Sequence, residues 1–552
     1  MGKIWGPEAI AKHQSTALYG NGSSMTESPK KEGLIYVGTD DGLINITEDA
    51  GKTWRKVDKI EGVPENSYVH RVLASQHDAN TVFAVYNNHQ NGDFKPYLMK
   101  SADAGKTWAS ISSNLPERGS VYAIAEDHVN PNLLFCGTEF GLFFTIDGGA
   151  KWMPLKGGLP VIAVRDIAIH KRANDLVIAT FGRGFYVLDD YTPLRNLKAD
   201  TLAQESNLFP VSDALMYIRS GAAVGSQGAS YYLAPNPAYG ATISYFLKEA
   251  PKTKKQKRQE AERAAAQKNE TPPYPSIAQL REETEEEPPA LLFTITDAEG
   301  KVVRRLSSPA MPGVQRVNWD FRYAPPVIQQ AVQLPPGLEG IDLGGGGFGG
   351  FGPQGVVAMP GKYTVKMARK IDGVVTELPG SQTFNVVAEG TEGITAADRN
   401  ALAEFQRKVS HLQRAITGAT DAANNANTRI GLLRRAAQEA PGSNANLMNE
   451  VKALDSKIDD LLHALRGGRD NTDIPPPSIN QRVNTIVQRI RMSALRPTQS
   501  QIESYNIAAE EFKPVLARLK ALIDVELPKL EKALDAAGAP WTPGRLPDWT
   551  DK

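Results

Sequence analysis

"TEDAGKTW" at residues 47–54, "SADAGKTW" at 101–108 and "TIDGGAKW" at 145–152 are one eight-residue phrase written three times. Trp54 and Trp108 stand 54 residues apart, and Trp108 and Trp152 stand 44 apart. In the middle module, "VHRVLAS" (69–75), "TVFAVYN" (81–87), "YLMKSAD" (97–103) and "TWASIS" (107–112) read as four short alternating strands. Four strands in about 40–50 residues is the period of a β-propeller blade. Module one covers 17–58 and module three 120–156, and a fourth, "VRDIAIH…DLVIAT…GFYVLDD" (164–190), has three strands and no phrase. The stretch available for its outer strand is "ALMYIR" (214–219).

The residue types in the phrase suit a tight turn between the third and fourth strands. Asp49, Asp103 and Asp147 can accept backbone N–H bonds inside it. Gly51, Gly105 and Gly149 permit positive φ, and Trp54, Trp108 and Trp152 can wedge apolar area between neighbouring sheets. The third copy has Lys151 where the others have Thr, so its turn is expected to be looser. The phrase resembles the Asp-box, or BNR repeat, Ser/Thr-x-Asp-x-Gly-x-Thr-Trp, of sialidases, sortilin-type ectodomains and two-propeller xyloglucanases. Both the residues and the resemblance imply a shape-holding role.

Strand reversal puts the three phrases on one face of the blades and the turns between second and third strands on the other. That second face collects "GTDDG" (38–42), "NNHQNGDFKPY" (87–97), "GTEFG" (137–141) and "FGRG" (181–184). It carries Asp40, Asp41, His89, Asp93, Lys95, Glu139 and Arg183, and the starts of the first strands add His70, Tyr122 and Arg165. Carboxylates and cations on one rim suit a polar ligand such as a glycan or peptide. Hydrolysis of a glycoside needs two carboxyls about 5–5.5 Å or about 6.5–9.5 Å apart. Asp40 or Asp41 with Glu139 is the candidate pair. Thr39-Asp40-Asp41-Gly42 resembles the turn that bears a catalytic aspartate in the xyloglucanases, but Gly-Thr-acid-x-Gly is also ordinary hairpin chemistry, and a turn-forming Asp40 is the favoured reading. No convincing Arg triad with a Tyr/Glu pair supports sialidase action. Nucleophilic Ser or Cys triads, P-loops and HExxH are absent from the sequence.

The chain has 552 residues, and its 62 basic and 62 acidic side chains give no global field to draw it to nucleic acid or a membrane surface. The single cysteine, Cys136, lies in the strand-like run "LLFCGT", which excludes an internal disulfide framework and reads as core. No metal and no cofactor is implied. No run reaches the roughly 18 apolar residues of a membrane span, and "MGKIWGPEAIAKHQ" lacks the apolar core of a signal peptide. The chain is therefore expected to be cytoplasmic or the rear part of something longer.

Beyond the modules, "NPAYGATISYFLKEAP" (236–251), "ALLFTITDAEGKVVRRL" (290–306), "GVQRVNWDFRY" (313–323) and "GKYTVKMARKIDGVV" (361–375) alternate like hairpins of a β-sandwich. They resemble the Ig-like domain of flagellar hook-capping type. "KTKKQKRQEAERAAAQK" (252–268) and "EETEEE" (282–287) read as a solvated, self-pairing excursion, and "GGGGFGGFG" (344–352) as a flexible loop. After residue 392 the apolar period becomes 3.6. Leu402, Phe405, Val409, Leu412 and Ile416 form one stripe. Further stripes run from Leu447 to Leu465 and from Ile502 to Ile523, predicting an antiparallel helical bundle. His411 and His463 beside these stripes have no repeated acid–His pairing and read as structural.

The expected fold is thus mainly β with an α tail. A partial propeller of about four Asp-box blades occupies 1–195, an Ig-like β-sandwich 200–390 and a helical bundle 393–552. The order resembles the C-terminal portion of the large bacterial sortilin-like or BNR-repeat glycosyl hydrolase proteins. That resemblance implies a periplasmic or extracellular location and further blades upstream. Exposed blade faces are then expected to meet an upstream propeller segment or a second copy. Two functions stay open, a rim that holds a protein, peptide or glycan, and a carbohydrate hydrolase using rim carboxylates.

Overall fold

A computed structural model describes residues 20–217, 234, 236–272, 274–327, 355–390, 393–468, 476–491 and 495–545. The readings made on residues 1–14, 218–219 and 344–352 lie outside them. The chain divides into two compact units, Met1–Phe209 and Pro210–Lys552.

In the first unit the modules are antiparallel meanders. Blade one is β1 (Gly22–Glu27), β2 (Ile35–Thr39), β3 (Ile44–Thr47) and β4 (Arg55–Val57). Blade two is β5 (Tyr68–Ala74), β6 (Val82–Asn88), β7 (Asp93–Ser101) and β8 (Ala109–Ser110). Blade three is β9 (Val121–Glu126), β10 (Leu134–Thr138), β11 (Gly141–Thr145) and β12 (Met153–Leu155). Blade four keeps three strands, β13 (Val164–His170), β14 (Asp175–Thr180) and β15 (Phe185–Leu188). Each phrase joins the third and fourth strands of its blade.

Alternation decides the stacking. Tyr36, Ile44 and Ile46 of blade one pack against Val72, Ala84 and Tyr86 of blade two. Phe83, Val85 and Leu98 on the other face of blade two pack against Leu134, Cys136 and Trp152 of blade three. Cys136 is fully buried, and burial pushes its thiol pKa up, as befits a core residue. Blade four leaves Phe185 and Val187 exposed on its far face, and blade one leaves Met25 exposed. After blade four come the short helices α1 (Thr192–Arg195) and α2 (Ala199–Ala203) and the strand β16 (Ser206–Leu208). Buried Asp127 fastens α1 to blade three, accepting from Tyr191 Oη at 2.6 Å and from Arg195 Nη2 at 2.7 Å.

The phrase closes on itself as its chemistry predicts. In the first copy, Asp49 Oδ1 accepts from Thr47 Oγ1 at 2.8 Å and from the Thr53 N–H at 2.9 Å, while Oδ2 accepts from Thr53 Oγ1 at 2.6 Å. The second copy repeats this with Asp103, Ser101 and Thr107. The third keeps Thr145 and the Lys151 N–H, but a lysine side chain stands where the threonine hydroxyl donates in the others. The Thr53 bonds hold the Asp49 carboxyl down to about 2, and the Thr107 bonds lower Asp103 likewise. Two successive residues take positive φ, Ala50 with Gly51, Ala104 with Gly105, and Gly148 with Gly149.

The wedge reading of the tryptophans needs correction. Trp152 is 2% exposed between blades two and three, and Trp108 is half-buried against the core shared by blades one and two, but Trp54 is 50% exposed. Each tryptophan is covered by the blade before its own, and no such blade stands before Trp54 among the described residues. The glycines mark the same seams. A Cβ on Gly105 would collide with Ile46, and one on Gly149 would lie 2.8 Å from Ile111. Arg55 adds a grip, donating from Nη2 to the Ala104 carbonyl at 2.7 Å and from Nη1 to the Gly105 carbonyl at 3.0 Å.

In the second unit, β17 (Ala214–Met216) pairs in parallel with β23 (Val374–Ala388). "ALMYIR" therefore does not supply blade four's outer strand. Its described residues 214–216 belong to a five-stranded sheet that continues through β22 (Gly361–Ile371), β19 (Ala290–Thr296) and β20 (Val302–Pro309). Facing it, β18 (Ala241–Leu247) pairs with β21 (Gly313–Trp319). Trp319 against Tyr363 and Tyr245 against Phe293, with centroids 4.9 and 5.0 Å apart, fill the space between the sheets. The charged excursion is a helical hairpin, α3 (Lys254–Gln267) and α4 (Ile277–Glu285). Both helices carry capping boxes, and Arg258 holds Glu283 with two hydrogen bonds at 2.6 and 2.9 Å.

The bundle comprises α5 (Ala396–Glu439), α6 (Ala445–Arg466), α7 (Ile479–Arg491), α8 (Gln499–Ala521) and α9 (Leu527–Ala536). The stripe from Leu402 to Ile416 is the first half of α5, and Ala419, Ala423, Ala426, Ile430 and Leu433 carry it on. No helix among the described residues is long and apolar enough to cross a membrane.

Candidate functional site

Adjacent first strands set neighbouring side chains side by side, and β5, β9 and β13 do this with His70, Tyr122 and Arg165. The Arg165 guanidinium carbon lies 3.8 Å from the Tyr122 ring centroid and 5.2 Å from that of Phe181. The Tyr122 hydroxyl donates to the Glu139 carboxylate, whose Oε2 is also 4.0 Å from Arg165 Nη2. The His70 ring meets Tyr122 edge to face at 5.2 Å. The turn that carries Glu139 is clipped to the lead-in of β9, because the Glu139 N–H donates to the Ser120 carbonyl at 3.0 Å.

The electrostatics of this cluster follow from its packing. Burial, then the bond to Glu139, pushes the Tyr122 hydroxyl up to about 12, so it stays a donor. Burial, then the charges of Arg165 and Arg71, pulls His70 down to about 4, so its ring is neutral near pH 7. Arg71 in turn pairs with Asp166, joining blades two and four. Glu139 and Arg165 each keep over a third of their side-chain surface in solvent, at 37% and 36%. The charged pair is therefore fixed in position and open to a ligand.

Of the other rim residues, Asp41, His89 and Asp93 are bonded within their own turns, and Asp40 is bonded to the chain before β1. Asp40 Oδ1 accepts the backbone N–H groups of Gly20 and Asn21 at 2.7 and 3.0 Å, which pins the lead-in to β1. Asp41 is 5% exposed and accepts from the Thr39 hydroxyl. Asp93 accepts from Tyr97 Oη at 2.6 Å and Asn88 Nδ2 at 3.1 Å. Burial opposes ionisation of Asp93, but these bonds and the Lys95 N–H outweigh it and lower its pKa. His89 is paired with Asn87, and Lys95 and Arg183 are exposed.

Sequence reasoning passed over Phe140 and Phe181, which are 53% and 68% exposed. Their signal was present in the quoted turns, since "GTEFG" and "FGRG" each set a phenylalanine beside the polar residue singled out. The pairing of Arg71 with Asp166 spans 95 residues and left no local trace.

No family model matches the chain. A xyloglucanase of Hypocrea jecorina is 27% identical over 140 residues, amounting to 22% of this chain and 16% of that enzyme. The matched part is thus about a sixth of the curated relative's length. Among solved structures, the GH74 xyloglucanase from Xanthomonas campestris has a TM-score of 0.26 at 11% identity, covering 65% of this chain and 45% of that one. YCF48 from Cyanidioschyzon merolae has a TM-score of 0.23 at 17% identity, covering 30% and 52%. The likeness to the xyloglucanase is confined to those 140 residues, and no family is shown for the chain.

Proposed function

We propose that the mouth formed by β9, β13 and the turns at 138–141 and 180–184 binds a polar ligand, a glycan or a peptide, outside the cytoplasm. The observation that supports this is the Arg165–Tyr122–Glu139 arrangement. A guanidinium held 3.8 Å from an aromatic ring centroid is preorganised, and a carboxylate steadied by a tyrosine hydroxyl stands beside it. Phe140 and Phe181 add exposed rings at the tips of the same turns, so apolar and charged recognition meet there. His70, His89, Asp93, Lys95 and Arg183 extend the polar rim. Glycan and peptide arrays probed with the wild type, Arg165→Ala and Glu139→Gln test the reading. Binding by the wild type that both variants lose supports it, and binding that both retain removes this mouth as the site. The extracytoplasmic placement rests on the Asp-box resemblance, and fractionation of the producing cell tests it.

The match to a xyloglucanase favours a second reading, hydrolysis of xyloglucan by Asp40 or Asp41 with Glu139. Acid and base roles are not interchangeable, so Asp40→Asn and Glu139→Gln would each lower turnover by about two orders of magnitude or more. Full turnover in both variants would remove these residues as catalysts.

A further inference from the structure

Within the second unit, the loop after β21 meets α5 at Arg322. The Arg322 N–H donates to Asp320 Oδ1 at 3.2 Å, and its Nη1 donates to the Gly355 carbonyl at 3.0 Å. A guanidinium has five N–H donors, and that carbonyl is the one acceptor its side chain has among the described residues. Burial pulls the arginine below its ordinary pKa, with Asp320 and Tyr239 as the opposing influences. An arginine in a protein stays charged, and this one is half-buried, with guanidinium nitrogens beyond Nη1 still reached by solvent.

Beside it lies a cavity of about 50 Å³, lined on the α5 side by Gln406, Ser410 and Gln413, with Val409 and Ile490 as apolar wall. Steps of four and three residues put the three polar side chains on one helix face. None of them has a hydrogen-bond partner among the described residues, although their neighbours Phe405, Val409 and Leu412 are core. The polar atoms of these three side chains are open to solvent, so they are free to donate to whatever enters the cavity. A water needs roughly 15 Å³ of such space, so the cavity has room for a few waters or one small solute.

We propose that this cavity binds a small inorganic oxyanion of the sulfate or phosphate type. Arg322 supplies the charge, the amides of Gln406 and Gln413 and the Ser410 hydroxyl supply donors, and the bound anion ties the sandwich to the bundle. Charge-assisted bonds from a fixed guanidinium are the strong ones for such a ligand.

The test is thermal unfolding of the full chain against sulfate and phosphate, with chloride at matched ionic strength. Sulfate also stabilises proteins generally by exclusion from their surface, in a manner that does not saturate. A specific site gives a melting-temperature rise that saturates with concentration. Arg322→Met and Gln413→Leu are each expected to weaken the apparent affinity about tenfold or more. Gln413→Leu keeps the test open should Arg322→Met fail to fold. A crystal soaked in selenate gives the location directly, with anomalous density expected between Arg322 and Gln413. A non-saturating rise shared by wild type and Gln413→Leu, or a cavity holding water alone in the selenate crystal, overturns the proposal.

Discussion

Ile46 of blade one occupies the space over Gly105 where any side chain would have to begin. The two residues belong to different blades, so the second phrase is a turn and a packing surface at once. Gly51 has the same left-handed backbone, φ 91° against 78°, but its absent Cβ would meet nothing closer than Trp54 at 3.8 Å. Gly105→Ala is therefore expected to destabilise by about 1–3 kcal/mol more than Gly51→Ala, the difference being overpacking. Urea unfolding of the two variants measures it, and equal losses would mean that the seam yields freely.

The tryptophans offer a graded series. Trp152→Ala is expected to lose about 3–5 kcal/mol, the range for a large buried side chain, and Trp54→Ala about 1 kcal/mol or less. Trp108 falls between, and its buried indole N–H has no partner among the described residues. Calorimetric melting of the three variants checks the order, and a Trp54 variant as damaged as the Trp152 one would contradict the covering rule.

Lys151 stands where the other two phrases place a threonine whose hydroxyl bonds the aspartate. Lys151→Thr restores that donor on an exposed turn, so a gain of about 0.5 kcal/mol is expected. Chemical denaturation resolves a change of that size, and no gain at all would show that the third turn differs in more than one bond.

His70 gives a pH dependence with a definite sign. Its folded pKa is depressed from 6.5 to about 4, so the unfolded chain takes up the proton first as pH falls. Its contribution to stability is complete above about pH 6.5 and is lost progressively down to about pH 4. His70→Gln should flatten the stability profile in that window. An unchanged slope between pH 6.5 and 4 would place the depression of the histidine in doubt.

Much of this architecture is local and was legible. The phrase names its own hydrogen bonds, because donor and acceptor are two to four residues apart. The alternation in "TVFAVYN" fixes both faces of β6, and "KTKKQKRQ" with "EETEEE" announced the pairing that became Arg258 on Glu283. What stayed hidden depends on which element lies alongside. Trp54 and Trp152 have nearly the same neighbours in sequence, yet one is half exposed and the other buried, because coverage comes from the blade before. Tyr122 and Arg165 stood at matching module positions, but the stacking of one on the other depends on β9 lying beside β13. The second half of α5 escaped the leucine stripe because alanines carry its buried face, and α7 went unnoticed because its apolar run is short.

The bonds of Asp49, Asp103 and Asp147 begin and end inside their own eight residues. A blade built on such a turn can be duplicated or lost without a matching change elsewhere in the gene. Selection at one copy is then largely blind to the others, and the copies are free to drift. The third has exchanged Ala for Gly148 and Thr for Lys151 while keeping its aspartate, and blade four stacks with no phrase whatever. The constraint that remains shared is steric, one small residue per seam, and it is at those glycines that related chains should vary least.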